Sequence, residues 1–65
     1  MVKVSKKEII VAARELNRVL GLEPRINVKR DIEEVKGLIL QGADLIEPED
    51  EISALTFGVI DFLRR

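Results

Sequence analysis

The chain has 65 residues, of which 46% are hydrophobic and 35% charged, and its net charge is −1. It contains no cysteine and no histidine, which excludes disulfide and thiolate chemistry and removes the commonest general base and metal ligand. A chain of this length predicts one domain, residues 1–65, with a core too small for an enclosed substrate cleft. No apolar run reaches the roughly 20 residues that span a bilayer, and no secretory signal pattern opens the chain, so we expect a cytoplasmic protein without membrane segments.

The first helix is predicted over residues 6–20. Ser5 and Glu8 have the spacing of a capping box, in which each side chain accepts a hydrogen bond from the backbone amide of the other residue. Apolar residues then recur three and four positions apart, as in an amphipathic helix. These residues are Ile9, Ala12, Ala13, Leu16, Val19 and Leu20. Gly21 is predicted to end the helix, because glycine adopts the left-handed conformation without a Cβ penalty.

A connector and a second helix are predicted next. Residues 22–30 read as a connector anchored by Ile26 or Val28, and Asp31 has the side chain to cap a helix near residues 32–41. The predicted buried face of this helix comprises Ile32, Val35, Ile39, Ala43 and Ile46. Gly42 either ends the helix or lets another helix approach closely, and we favour the first interpretation.

The third helix is predicted over residues 48–63. Pro48 suits the first helical position, where a missing amide is no loss, and the acidic residues 49–51 complement the positive end of the helix dipole. The predicted buried face comprises Ile52, Leu55, Thr56, Val59, Phe62 and Leu63. Three helices with short connectors predict an all-α fold, a small antiparallel three-helix bundle with room for an extra short helical turn in a connector.

The polar residues predict no enzyme chemistry. Residues 47–51 form an acidic cluster that lacks the glycine and the ligand spacing of a calcium loop. The hydroxyl residues have no histidine or cysteine to act with, and the four glycines lack phosphate-binding spacing. We therefore expect no enzyme, no catalytic, metal or cofactor site, and no small-molecule substrate.

Charge is distributed unevenly along the chain. Residues 1–30 hold eight basic and three acidic residues, a net charge of +5, whereas residues 31–65 hold three basic and nine acidic residues, a net charge of −6. The two halves can attract each other within one molecule or between molecules, or the basic half can bind an acidic partner. We favour attraction within one molecule.

The basic residues support an alternative functional hypothesis, weak nucleic-acid binding by an accessory protein. The residues are Lys7, Arg14, Arg18, Arg25, Lys29 and Arg30. A solvated helix face is the simpler interpretation. The net acidic charge and the absence of a nearby aromatic residue for base stacking disfavour nucleic acid. If the second and third helices formed a helix-turn-helix, the acidic residues 49–51 would start the recognition helix, where phosphates would repel them.

Apolar residues outside the core stripes support the leading functional hypothesis. They are Val11, Leu38, Leu40, Phe57 and Ile60. Each helix of a bundle needs an apolar stripe only slightly wider than about 100°, so these side chains are surplus. Either an extra short helix or a folded-back connector covers them, or they form an exposed patch for a partner protein or a second copy. We expect a non-enzymatic protein-interaction or assembly module that self-associates or docks on a partner.

Two stretches of the chain combine helix-stop with helix-start residues: ELNRVLGLEP, residues 15–24, and LIEPEDE, residues 45–51. In these stretches the chain resembles short, functionally uncharacterised helical proteins of bacterial and prophage-type genomes. The resemblance implies a small accessory or assembly protein, and it brings no catalytic residues.

Overall fold

The computed structural model describes residues 4–65, which contain three helices and no strand. The helices are α1 (Lys6–Leu20), α2 (Ile32–Ala43) and α3 (Ala54–Arg64). Each helix contacts both of the others, so they form a compact three-helix bundle. The predicted all-α fold class is confirmed. None of these helices is both long enough and apolar enough to cross a bilayer.

α1 and α3 run antiparallel. Ser53, which caps the start of α3, hydrogen-bonds to Glu15 in the second half of α1. At the other end of the pair, Phe62 lines the same surface depression as Val4, which precedes α1. The core lies where the three helices meet, and its largest fully buried side chains are Leu16, Val35, Ile39, Thr56 and Val59.

The boundaries of α1 are those predicted from the sequence. The Glu8 amide donates to Ser5 Oγ at 3.2 Å, and the Ser5 amide donates to Glu8 Oε1 at 3.0 Å, which completes the capping box. The backbone hydrogen bond from Ser5 lowers the pKa of the Glu8 carboxyl. Gly21 has a φ of +59° and ends the helix in the left-handed conformation, a φ that favours glycine.

The first connector is anchored to α1 by a pair of hydrogen bonds that the sequence pattern did not predict. Asn17 Nδ2 donates to the Ile26 carbonyl at 3.0 Å, and the Ile26 amide donates to Asn17 Oδ1 at 2.7 Å. These bonds satisfy both the amide and the carbonyl group of Ile26, which is buried. Of the two predicted anchors, Ile26 is buried and Val28 is half-buried.

Replacing Asn17 with alanine is expected to lower the free energy of unfolding by about 1–3 kcal/mol, because it leaves both backbone groups of Ile26 without partners. Chemical denaturation monitored by circular dichroism measures the change. Asn27 is the control, since within residues 4–65 its side chain accepts a single, exposed hydrogen bond, from the Lys29 amide. Equal losses from Asn17→Ala and Asn27→Ala would contradict an anchoring role for Asn17.

α2 ends later than predicted. The sequence favoured an end after Gln41 with Gly42 outside the helix, but the helix continues to Ala43 and Gly42 is buried within it. A Cβ placed on Gly42 would lie 3.4 Å from Leu22 Cδ1 and 3.6 Å from Leu16 Cδ1. The prediction that Gly42 ends the helix is therefore wrong, and a methyl group at this position would make ordinary van der Waals contacts with α1 and the first connector.

α3 begins six residues later than predicted, at Ala54 in place of Pro48. Residues 47–50 form a turn in which Asp50 Oδ2 accepts from the Glu47 amide at 2.9 Å. Ser53 is the N-cap, and its hydroxyl accepts from the Thr56 amide. The acidic residues 49–51 therefore lie in the connector, and the first turn of α3 contains no acidic residue.

The buried face of α3 is rotated relative to the prediction. Thr56, Val59 and Ile60 are buried, whereas Leu55 is exposed. Thr56 and Val59 were predicted to be buried and are, and the Thr56 hydroxyl donates to the Glu15 carboxylate of α1. Leu55 was assigned to the core by sequence and Ile60 to the surface, and both assignments are wrong.

Candidate interaction surface

An open depression between α1 and α3 brings exposed apolar side chains together with arginines. We call it the basic–apolar surface and define it by five residues: Val11, Arg14, Arg18, Arg25 and Leu55. Arg14 and Arg18 follow Val11 along one exposed face of α1, and Arg25 reaches it from the first connector. The exposed fraction is 43% for Val11 and 42% for Leu55. These side chains form an apolar centre bordered by positive charge.

The apolar part continues along the seam between α1 and α3. Leu55 also lines a second depression, with Val4, Gly58 and Phe62 among its other lining residues. Both Val4 and Phe62 are half-buried. Leu55 therefore links the basic–apolar surface to an apolar strip that runs toward the start of α1.

Glu15 lies beside this surface and holds the start of α3. Its Oε1 accepts hydrogen bonds from the Ser53 amide at 3.2 Å, from Ser53 Oγ at 2.7 Å and from Thr56 Oγ1. Arg18 lies 3.6 Å from its Oε2, and the Glu15 side chain is only 13% exposed. Glu15 thus acts as a capping carboxylate supplied to α3 by a different helix.

The surroundings of Glu15 act on its pKa in opposite directions. Partial burial raises the pKa, whereas the hydrogen bonds from Thr56 and Ser53 and the nearby Arg18 guanidinium lower it. The hydrogen bonds and the positive charge together outweigh burial, so the pKa of Glu15 lies below its usual value. The carboxylate is charged at neutral pH, where it is a better hydrogen-bond acceptor than a neutral carboxyl group.

The apolar residues predicted for interaction do not share one surface. Val11 lies in the basic–apolar surface. Phe57 is 48% exposed. It follows Leu55 by two residues, or about 200° of helical rotation, so the two side chains lie on nearly opposite sides of α3. Leu38 and Leu40 are half-buried on α2. Ile60 is only 4% exposed and belongs to the core, which removes it from the predicted surface.

The predicted basic residues are partly brought together. Arg14, Arg18 and Arg25 line the basic–apolar surface, and Lys29 joins Arg14 and Arg25 around an adjoining depression next to the first connector. Arg30 instead pairs with Glu34 at 3.0 Å. Lys7 is exposed in the first turns of α1 and lines neither depression.

The helix arrangement differs from a helix-turn-helix. Residues 44–53 separate α2 from α3, whereas the turn of that motif has about three or four residues. The acidic residues that we expected at the start of a recognition helix lie in this connector. α2 and α3 therefore do not form the helix-turn-helix that the sequence-based argument against nucleic-acid binding assumed.

The charge asymmetry between the two halves of the chain is largely uncompensated within residues 4–65. Only one ion pair in this range joins residues 1–30 to residues 31–65, and it is the local pair of Arg30 with Glu34. Arg14 and Arg25 form no ion pair there, and neither do the acidic residues 47–51 of the second connector. Ion pairs therefore hardly join the two halves within residues 4–65, and attraction between the halves of one molecule stays a prediction.

Sequence reasoning missed three residues that line this depression: Leu55 within the basic–apolar surface, and Glu15 and Ser53 beside it. Ser53 was the most accessible to prediction, because serine is a favoured N-cap and apolar helical residues follow it. The stronger pattern of Pro48 with three acidic residues obscured that signal. Nothing local marks Glu15, whose partners lie 38 and 41 positions further along the chain.

The comparisons with known proteins leave the surface without an assigned role. The sequence matches no protein-family model, and the searches of curated proteins and of solved structures find no significant match. The resemblance of residues 15–24 and 45–51 to short prophage-type helical proteins stays a prediction. Within residues 4–65 no three acidic side chains are grouped so that they could hold a metal ion.

Proposed function

We propose that this protein is a non-enzymatic interaction module of the cytoplasm that binds an acidic protein segment at the basic–apolar surface. The observation that carries the proposal is the exposure of Val11 and Leu55 among Arg14, Arg18 and Arg25. Two large apolar side chains in one depression provide a small hydrophobic centre, and a surrounding guanidinium group can bind a carboxylate through two parallel hydrogen bonds.

The charge around the apolar centre selects the partner chemistry. Arg14 and Arg25 have no ionic partner within residues 4–65, and Arg18 shares Glu15 with two hydroxyl groups. A partner with carboxylates around one or two apolar side chains satisfies these arginines and covers Val11 and Leu55. Arginine is enriched at protein interfaces, where its long stem packs and its charge orients the partner.

Binding to synthetic acidic peptides tests the proposal. Two fluorescein-labelled peptides of about twelve residues carry leucine and glutamate, one with the leucines four positions apart and one with alternating leucines, to match helical and extended partners. We expect at least one to bind, and we expect the Val11→Ser variant and the Arg14→Glu/Arg25→Glu variant to weaken its binding at least tenfold.

Phe57→Ser is the matched control, because Phe57 is equally exposed but lies on the other flank of α3. Its binding is expected to equal that of the unmodified protein. Absence of binding by both peptides at low salt, or equal losses in the Phe57 and Val11 variants, would overturn the proposal. Binding of labelled single-stranded or duplex DNA with a steep salt dependence, in place of the peptides, would instead identify a nucleic-acid accessory protein.

A further inference from the structure

The second connector has the chemistry that the basic–apolar surface requires. We call residues 45–51 the acidic segment. It begins with Leu45, which at 59% is the most exposed large hydrophobic side chain among residues 4–65, and continues through three exposed glutamates. These glutamates are Glu47, Glu49 and Glu51. None of them forms an ion pair within residues 4–65, so each carboxylate is available to a second molecule.

The acidic segment lies next to the basic–apolar surface of its own chain without pairing with it. Ser53 follows the segment by two residues and lines the same depression as Arg14, Arg18 and Arg25. The hydrogen bonds of Ser53 to Glu15 hold this end of the connector at the edge of the depression. No ion pair joins the segment to those arginines within residues 4–65.

Two adjacent regions of opposite charge suit a two-fold symmetric contact. A two-fold axis that passes between them places each region of one copy against the opposite region of the other, so both attractive contacts form at once and the assembly closes as a dimer. The exposed Val11 and Leu55, which lie among the arginines, are then covered by the acidic segment of the other copy.

We propose that the occupant of the basic–apolar surface is the acidic segment of a second copy of this chain, in a closed dimer. This inference rests on the proposed function, because it names the partner of the same surface. The net charges of +5 and −6 on the two halves of the sequence then act between molecules. Such a dimer is stabilised by attraction between exposed charges, so its association weakens as salt screens them.

Sedimentation equilibrium of the full chain, from about 10 µM to 1 mM at about 20 mM and about 500 mM salt, is the first test. We expect a monomer–dimer equilibrium whose dissociation constant rises at least tenfold at the higher salt concentration. A monomer throughout would overturn the inference. So would a dimer that does not respond to salt, because it would form through apolar surface elsewhere, such as Phe57.

A charge-exchange experiment tests the pairing itself. One variant carries Arg14→Glu and Arg25→Glu, and the other carries Glu49→Lys and Glu51→Lys. All four side chains are exposed and form no ion pair within residues 4–65, so the fold is expected to persist, and circular dichroism checks it. Each variant alone is expected to dimerise at least tenfold more weakly than the unmodified chain.

An equimolar mixture of the two variants is expected to associate more tightly than either variant alone, because the unchanged acidic segment of the first variant then meets the unchanged basic–apolar surface of the second. The altered surface, with a net charge of −1, meets the altered segment, with a net charge of zero, so the other contact is no longer repulsive. Failure of the mixture to associate would overturn the inference. The peptide experiment separates this failure from that of the proposed function. A monomeric chain that still binds an acidic peptide retains the interaction surface but takes its partner from another protein, whereas a monomeric chain that binds no peptide removes both proposals.

Discussion

Replacing Glu15 with alanine is expected to lower the free energy of unfolding by about 2–4 kcal/mol, because the substitution removes a charged acceptor from two hydroxyl groups and one backbone amide. The Thr56 side chain is fully buried, so its hydroxyl group would lose its carboxylate acceptor in the core. A domain of this size has a total stability of roughly 3–10 kcal/mol. The loss is therefore a large share of the total, and urea denaturation measures it directly.

Glu34→Ala is the control for this experiment. Glu34 forms an exposed ion pair with Arg30, and pairs of this kind contribute about 0–1 kcal/mol. Glu15→Gln separates charge from shape, since glutamine keeps one acceptor oxygen but cannot hold a negative charge. Its loss is expected to lie between those of Glu15→Ala and Glu34→Ala. A Glu15→Ala variant as stable as Glu34→Ala would show that α3 does not depend on this carboxylate.

The stability should also depend on pH through Glu15. Its pKa is lowered in the folded state, so the unfolded chain binds more protons between the folded and unfolded pKa values. The contribution of Glu15 is complete above about pH 4.5 and is lost as the pH falls through the folded pKa. We expect the midpoint of urea unfolding to decline less steeply below this pH in Glu15→Gln than in the unmodified protein.

Replacing Leu16 with alanine is expected to lower the free energy of unfolding by about 3–5 kcal/mol. Leu16 is fully buried, and its Cδ1 lies beside Gly42 where α1 and α2 meet. This loss of free energy has two parts: less apolar surface is removed from water on folding, and the rigid surroundings leave a cavity unfilled. Val11→Ala is the control, because Val11 occupies the exposed face of the same helix and should change stability by less than about 0.5 kcal/mol.

Gly42 provides an internal check on the position of this void. A methyl group on Gly42 points toward Leu16 and Leu22, so Gly42→Ala fills part of the space that Leu16→Ala opens. We expect Gly42→Ala to stabilise the Leu16→Ala variant by about 0.5–1 kcal/mol more than it stabilises the unmodified protein. Additive effects of the two substitutions would place the void elsewhere.

Local signals in the sequence determined the parts of the fold that depend on neighbouring residues. The capping box of Ser5 with Glu8 and the left-handed Gly21 define α1, and both act within a few positions of the helix ends. The apolar spacing of α1 likewise identified its buried face. Such signals are readable because the atoms that interact are close along the chain, so their geometry follows from helix periodicity alone.

The start of α3 depended on residues far along the chain. Pro48 and the acidic residues after it make a plausible helix start, and in isolation nothing in the pattern argues against it. Glu15 instead accepts hydrogen bonds from Ser53 and Thr56, and this contact from α1 favours the later start, at which Ser53 is the N-cap. A sequence pattern cannot express this choice, because it records spacing within a segment and not the contacts between segments.

The sequence by itself determined that this is an all-α chain with one small core, a basic first half and an acidic second half. Only the tertiary structure decided that Val11 meets Leu55 among three arginines and that Ile60 is buried. It also decided that Arg14, Arg25 and the glutamates of the acidic segment form no ion pair within residues 4–65. The physical reason is that helix packing, which sets the rotation and contact of each pair of helices, determines which exposed side chains become neighbours.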